Sequence, residues 1–155
     1  MPPKPFLTNR QLEIWRYLTK KTSQAEIGRN LGITRQAVHY AEEAIIPKVE
    51  QTLTNVAHAN MLDIKYLDAS RGILLGYSPS SKNQVIVTFS AVNGVQTWHY
   101  EHPDCALCDW VDRCKKRLIE EANERDIDLS DEVKTLPPSK LASHIFSEII
   151  PELIV

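Results

Sequence analysis

The stretch Thr22 to Glu43, TSQAEIGRNLGITRQAVHYAEE, constrains this chain more than any other. Ser23 and Thr34 are residues that start helices by accepting an orphan backbone amide, and Glu26 follows Ser23 at the spacing of a capping partner. Gly32 stands at the tight turn between the two helices so capped. Around that turn Ile27, Leu31, Ile33, Val38 and Ala41 fall together as a small core. Thr34, Arg35, Gln36, His39, Tyr40 and Glu43 then face outward on the second helix, a set able to reach phosphates and base edges. The pattern predicts a helix-turn-helix that lays its second helix in a DNA major groove. A helical hairpin without DNA is the plainer reading, but it leaves the Arg35, Gln36, His39 and Tyr40 face without a use.

Upstream, Thr8 and Gln11 form a capping box, and Leu12, Ile14, Trp15 and Leu18 make a helical apolar stripe. This helix is expected to lie across the pair and complete a three-helix core. Arg10 and Arg16 project from it, Arg10 with Thr34 as phosphate contacts. Arg35, Gln36 and His39 are the base-reading candidates, with Tyr40 beside them.

The run LTNRQLEIWRYLTKKTSQAEIGRNLGITRQAVHYAEEA resembles the N-terminal part of archaeal Tfx-type DNA-binding regulators. More distantly it is similar to sigma-factor region 4 and LuxR-type heads. The resemblance covers about the first third of the chain and implies a transcriptional regulator with its recognition helix at Thr34 to Ala44. Gly28 departs from it, since such motifs usually carry Ala there; the glycine is expected to fit sterically and to weaken the helix slightly.

The formal charge of −2 suits a nucleic-acid binder only when split at Lys48. The first 48 residues carry eight Lys or Arg against four Glu, and the remainder ten against sixteen acidic residues. A basic head fits a phosphate backbone, and an acidic remainder faces away from it. Hydrophobic content of 43% and charged content of 25% exclude wholesale disorder. No apolar run reaches the length of a membrane span, and MPPKPF lacks a signal-peptide core, so a cytoplasmic location without membrane contact is expected.

The expected fold class is α+β in three parts: a helix-turn-helix domain over 1–46, a linker helix over 47–67, and an α+β metal-binding sensor domain over 68–155. Pro47 kinks the long helix or starts a new one. Ile46, Val49, Leu53, Val56 and Asn60 follow at heptad steps, which suits either a homodimer seam or packing on the chain's own second domain. RGILLGYSP, QVIVTFSA and VQTWHYEH read as a three-stranded antiparallel meander, with a hairpin at Asn93-Gly94 and a bulge or gap at Gly76. Leu107 to Arg125 reads as largely helical with Leu118, Ile119 and Ala122 inward, and Ile127 to Leu129 as a short strand. Ser139 caps a last helix whose Leu141, Ala142, Ile145, Phe146, Ile149 and Ile150 require cover.

All three cysteines lie in HPDCALCDWVDRC. An odd count in a cytosolic-looking chain argues against a disulfide framework, and Cys105, Cys108 and Cys114 can grip one metal centre from a turn and the helix after it. The spacing resembles the cysteine run of iron-sulfur nucleases of the Cas4 and AddB kind, which add a remote fourth cysteine that this chain lacks. A 4Fe-4S cluster therefore needs a non-cysteine ligand or an open iron, whereas Zn2+ accepts a Cys3His set. His102 is the first choice for that place, then Asp104 and His99. The five-residue spacing favours the cluster. A thiol switch without metal is the remaining option.

These readings converge on a DNA-binding regulator, dimeric, that senses redox state or metal through its cysteines and binds double-stranded DNA. Two alternatives stand beside it: a zinc-stapled regulator, and a metal-containing nucleic-acid enzyme. The enzyme is disfavoured by the absence of a nuclease carboxylate-lysine motif, a phosphate loop and a nucleophile-base pair.

Overall fold

The structure is a computed structural model that describes residues 6–99, 105–151 and 153. The helix starts predicted at Thr8, Ser23 and Thr34 are present. In α1 (Asn9–Leu18) the Thr8 hydroxyl accepts from the Gln11 amide at 3.1 Å, while the Gln11 side chain accepts from the Thr8 amide at 3.0 Å. Ser23 accepts from Glu26 to open α2 (Gln24–Leu31), and Thr34 accepts from Ala37 to open α3 (Arg35–Ala59). Gly32 closes α2 in the left-handed region at φ +68°, a conformation that a Cβ penalises.

Gly28 has a role that its helix position does not reveal. A Cβ there would lie 2.7 Å from the Ile33 carbonyl oxygen, because the turn folds back onto α2 and both Gly32 and Ile33 donate to the Gly28 carbonyl. The glycine is a requirement of this close approach rather than a mild weakening of the helix.

Helix α3 continues through Pro47 as one helix of 25 residues, so no new helix starts there. The proline sits on its exposed side. The heptad residues turn inward: Val49 and Leu53 are fully buried together with Ile45 and Ala57, in the same cluster as Leu74, Val85, Val87 and Phe89 of the sheet. Of the two readings of this seam, packing on the chain's own sheet is the one observed. Asn60 ends the helix, its side chain donating to the Val56 carbonyl at 2.8 Å.

The sheet has four strands, not three, in the antiparallel order β1 (Asp63–Asp68), β2 (Ile73–Ser78), β3 (Asn83–Ser90), β4 (Gly94–Trp98). Strand β1, DIKYLD, carries three charges, lies at the edge and is largely exposed over its first half, so its apolar alternation is weak. Its register slips between Ile64 and Tyr66, opposite Gly76, where a Cβ would lie 2.9 Å from Leu62 carbons. The Asn93-Gly94 hairpin is present, with Ser90 paired to Gly94 and that glycine at φ +68°.

Alternation along β2 and β3 gives the sheet two apolar faces. Leu74, Val85, Val87 and Phe89 pack on α1–α3, and Ile73, Leu75 and Ile86 pack on α4 (Val111–Glu124) and α6 (Pro138–Ile149). The result is three layers, helices on both faces of a mixed helix and sheet fold. The apolar face of α6 is covered as the core reading required, with Leu141, Ile145 and Phe146 fully buried. Two local expectations are corrected, and one helix that was not foreseen is added. Ile127 to Leu129 is not a strand, because those side chains fill in against the second core without a pairing partner. A short helix α5 (Asp131–Lys134), capped by Ser130, follows instead. Ser139 lies inside α6, whose cap position is Pro137 with Pro138 in the first turn, where a missing N–H costs nothing.

Candidate nucleic-acid interface and cysteine cleft

The start of α3 presents Arg35, Gln36, His39, Tyr40 and Glu43 to solvent, with Tyr40 69% exposed. Among the described residues Arg35 and Gln36 have no hydrogen-bond or ion-pair partner, so both side chains can be committed to DNA without breaking a contact. His39 differs. Its Nε2 lies 3.1 Å from the Glu43 carboxylate, and its Nδ1 lies 3.3 Å from the Gln24 side-chain nitrogen. A base contact by His39 has to displace one of them. Gln24 also donates to Glu42 at 2.7 Å, so this cluster buttresses α2 against α3, a role that sequence reasoning missed. The Thr34 hydroxyl oxygen serves as a cap and its proton stays available to a phosphate. Arg10 pairs with Glu13 at 3.1 Å on the exposed side of α1.

Cys105 opens a single 3-10 turn (Cys105–Leu107), and Cys108 follows with its amide on the Cys105 carbonyl at 3.4 Å. The Cys108 sulfur accepts from the Trp110 amide at 3.4 Å, and Cys114 lies in the first turn of α4. All three thiols line one cleft of about 460 Å3 between this segment, the end of β4 and the start of α6. His99 and Trp98 line it too, as do Trp110, Arg113 and Arg117. His102 and Asp104 lie outside the described residues. Arg113, absent from the sequence expectation, stacks its guanidinium 4.7 Å from the Trp110 ring centre, and Trp110 is 56% exposed. Of the basic run after Cys114, Arg117 reaches the cleft and donates to Gln96 at 3.1 Å.

Burial pushes the Cys114 thiol above its ordinary value, and the neighbouring Cys108 and Cys105 push it further, while Arg117 opposes them. Its place in the cleft therefore disfavours the Cys114 thiolate unless a cation joins it. The donor chemistry suits a thiophilic centre, yet among the described residues no three ligating side chains lie close enough to hold a metal ion.

Behind the cleft lies a polar network that the sequence did not disclose. Glu121 and Arg125, one turn apart on α4, form a fully buried ion pair. Arg125 also donates to the carbonyls of Arg71 at 2.8 Å, Gly72 at 3.1 Å and Phe89 at 3.0 Å. Thr88 donates to Glu121, Trp98 donates to Thr88, and Glu124 accepts from Ser90 and from the Ala91 amide. A Glu-x-x-x-Arg step among Leu118 and Ala122 was the available signal, but such pairs ordinarily mark a wet helix face.

No helix among the described residues is long and apolar enough to cross a membrane. No family model, curated protein or solved structure matches the chain.

Proposed function

We propose that this chain is a sequence-specific DNA-binding transcriptional regulator whose cysteine cleft controls the head. The observation that carries the reading is the start of α3: a capped helix beyond a left-handed glycine turn, with Arg35 and Gln36 exposed and free. Two unengaged side chains of those types on a rigid helix are suited to bidentate contacts with guanine and adenine edges. Selection of bound fragments from random double-stranded DNA tests this. A consensus is expected, and Arg35→Ala weakens binding to it by about tenfold or more while relaxing one base position. A variant that keeps wild-type affinity and preference rejects α3 as the reader.

Cys105, Cys108 and Cys114 would hold the centre, with His99 as the described candidate for a fourth ligand and His102 as the sequence-based one. A 4Fe-4S cluster supplies one-electron chemistry and lability to oxidants, and Zn2+ supplies a staple. The support for the cluster is the Cys105-x2-Cys108-x5-Cys114 spacing, with all three residues on one cleft. The chain's own part is to hold the donors, to offset thiolate charge with Arg113 and Arg117, and to anchor Cys114 on α4. Helix α4 reaches the head through Arg125, since Gly72, whose carbonyl Arg125 binds, packs under Trp15 of α1. Any two-fold pairing on DNA has to use a surface other than Val49 and Leu53. Comparing DNA affinity of protein purified anaerobically, metal-stripped protein and Cys108→Ser tests the control, and equal affinities reduce the centre to a staple.

A further inference from the structure

At one end of the sheet, the segment after α1, the β1–β2 turn and the loop after α4 line a second, open pocket of about 420 Å3, separate from the cysteine cleft. Its inner wall is formed by two arginines. Arg125 is neutralised by Glu121, but Arg71, only 8% exposed, has no carboxylate within 4.0 Å among the described residues. The nearest acid, Asp68, turns one oxygen to Ser70 and to the Arg71 backbone amide. One Arg71 nitrogen donates to the Arg125 carbonyl at 3.4 Å, and its Nε is buried with no partner. Asp68 and Tyr66 favour the Arg71 charge from outside ion-pair distance, yet a buried guanidinium nitrogen without an acceptor is costly and suits an added carboxylate.

The rim carries both signs of charge. Lys20 and Lys21 come from the head layer, Asp126 and Asp128 from the loop after α4, and Glu148 from α6 on the opposite layer. No ion pair within 4.0 Å joins these lysines to these acids. Opposite charges thus face a shared space without closing it.

We infer that this pocket binds a small zwitterion of the amino-acid class, its carboxylate on Arg71 and the lysines and its ammonium on Asp126, Asp128 and Glu148. A simple anion leaves the three acids unmatched, and a polyanion meets their repulsion. The volume falls in the usual range for small-molecule sites. Burial and then the neighbouring Arg125 disfavour the charge on Arg71, Asp68 and Tyr66 oppose them, and a bound carboxylate adds further attraction. The assignment does not depend on the DNA-binding reading, although the site touches the end of α1.

The test uses the full chain and the common amino acids added singly, followed by thermal midpoint and by backbone amide shifts. At least one amino acid is expected to raise the midpoint by several degrees and to move the amides of Lys21, Gly72 and Asp126. Acetate and methylammonium, each mimicking half of the ligand, bind at least about tenfold more weakly. Arg71→Gln abolishes binding. Because that variant can lose the fold, Lys20→Gln and Asp128→Asn on the exposed rim are measured beside it, each weakening binding by about tenfold. Failure of every amino acid to bind overturns the proposal, as does acetate binding equally well or unchanged binding by both rim variants.

Discussion

The guanidinium of Arg125 donates to the Gly72 carbonyl at 3.1 Å, tying the last turn of the cysteine-bearing helix to the glycine on which Trp15 of the head is seated. Gly72 is held at φ +61°, and a Cβ there would lie 2.6 Å from Trp15 Cζ2 and 2.6 Å from the Phe89 carbonyl oxygen. Trp15 in turn meets Phe89 edge to face at 4.7 Å. A displacement of α4 at the cleft therefore meets the head through closely packed atoms rather than through a flexible linker.

Arg125→Met is expected to destabilise the fold by about 3–5 kcal/mol, because it strips a buried carboxylate of its partner and leaves several carbonyls without a donor. Urea denaturation followed by far-UV dichroism measures it. A change below about 1 kcal/mol shows that the network contributes little.

Burial raises the Glu121 carboxyl above the ordinary carboxylate range, while Arg125 and Thr88 pull it back in part. A raised folded pKa means the folded state holds its proton more tightly. Its contribution is therefore complete below the unfolded value of about 4.3 and is lost as pH climbs through the folded value. Glu121→Gln should flatten that decline, seen as a smaller fall in thermal midpoint between acid and neutral pH. An unaltered profile assigns the slope to another group.

At Gly28 two effects of opposite sign compete. Alanine gains about 1 kcal/mol of helix propensity, yet its methyl would meet a backbone oxygen at 2.7 Å, where relief requires the turn itself to move. Overpacking typically costs about 1–3 kcal/mol, so Gly28→Ala is expected to lower the thermal midpoint and to weaken DNA binding together. A raised midpoint shows that the turn relaxes freely.

Leu53→Ala removes a fully buried side chain from between α3 and the sheet and should cost about 2–5 kcal/mol. The contact lies within one chain, so the loss is expected to be the same at every protein concentration. A midpoint that climbs with concentration in the wild type alone points to a dimer that uses α3.

What the sequence disclosed and what it concealed follow the range of the interactions. Caps at Thr8, Ser23 and Thr34 act over three residues and were legible, as was the Asn93-Gly94 hairpin. Strand β1 was not, because an edge strand with one half in water need not alternate. The seam on α3 was legible as an apolar stripe but carried no mark of its partner: Val49 and Leu53 suit a second helix as well as a sheet. At the cysteines the spacing named the donors, while Arg113 and the shared cleft with His99 arise from the packing of β4 and α6 around them.

Read by itself, the sequence determined the helix-turn-helix, the helix boundaries set by short-range hydrogen bonds, and the presence of three clustered thiols. Only the tertiary structure decided which surfaces those helices cover, that Gly28 is needed for a close approach, and that Glu121 and Arg125 are buried together rather than solvated. The physical reason is that a cap or a hairpin is satisfied by neighbours in sequence. An apolar stripe or a charged pair is satisfied by whatever distant segment arrives to remove it from water.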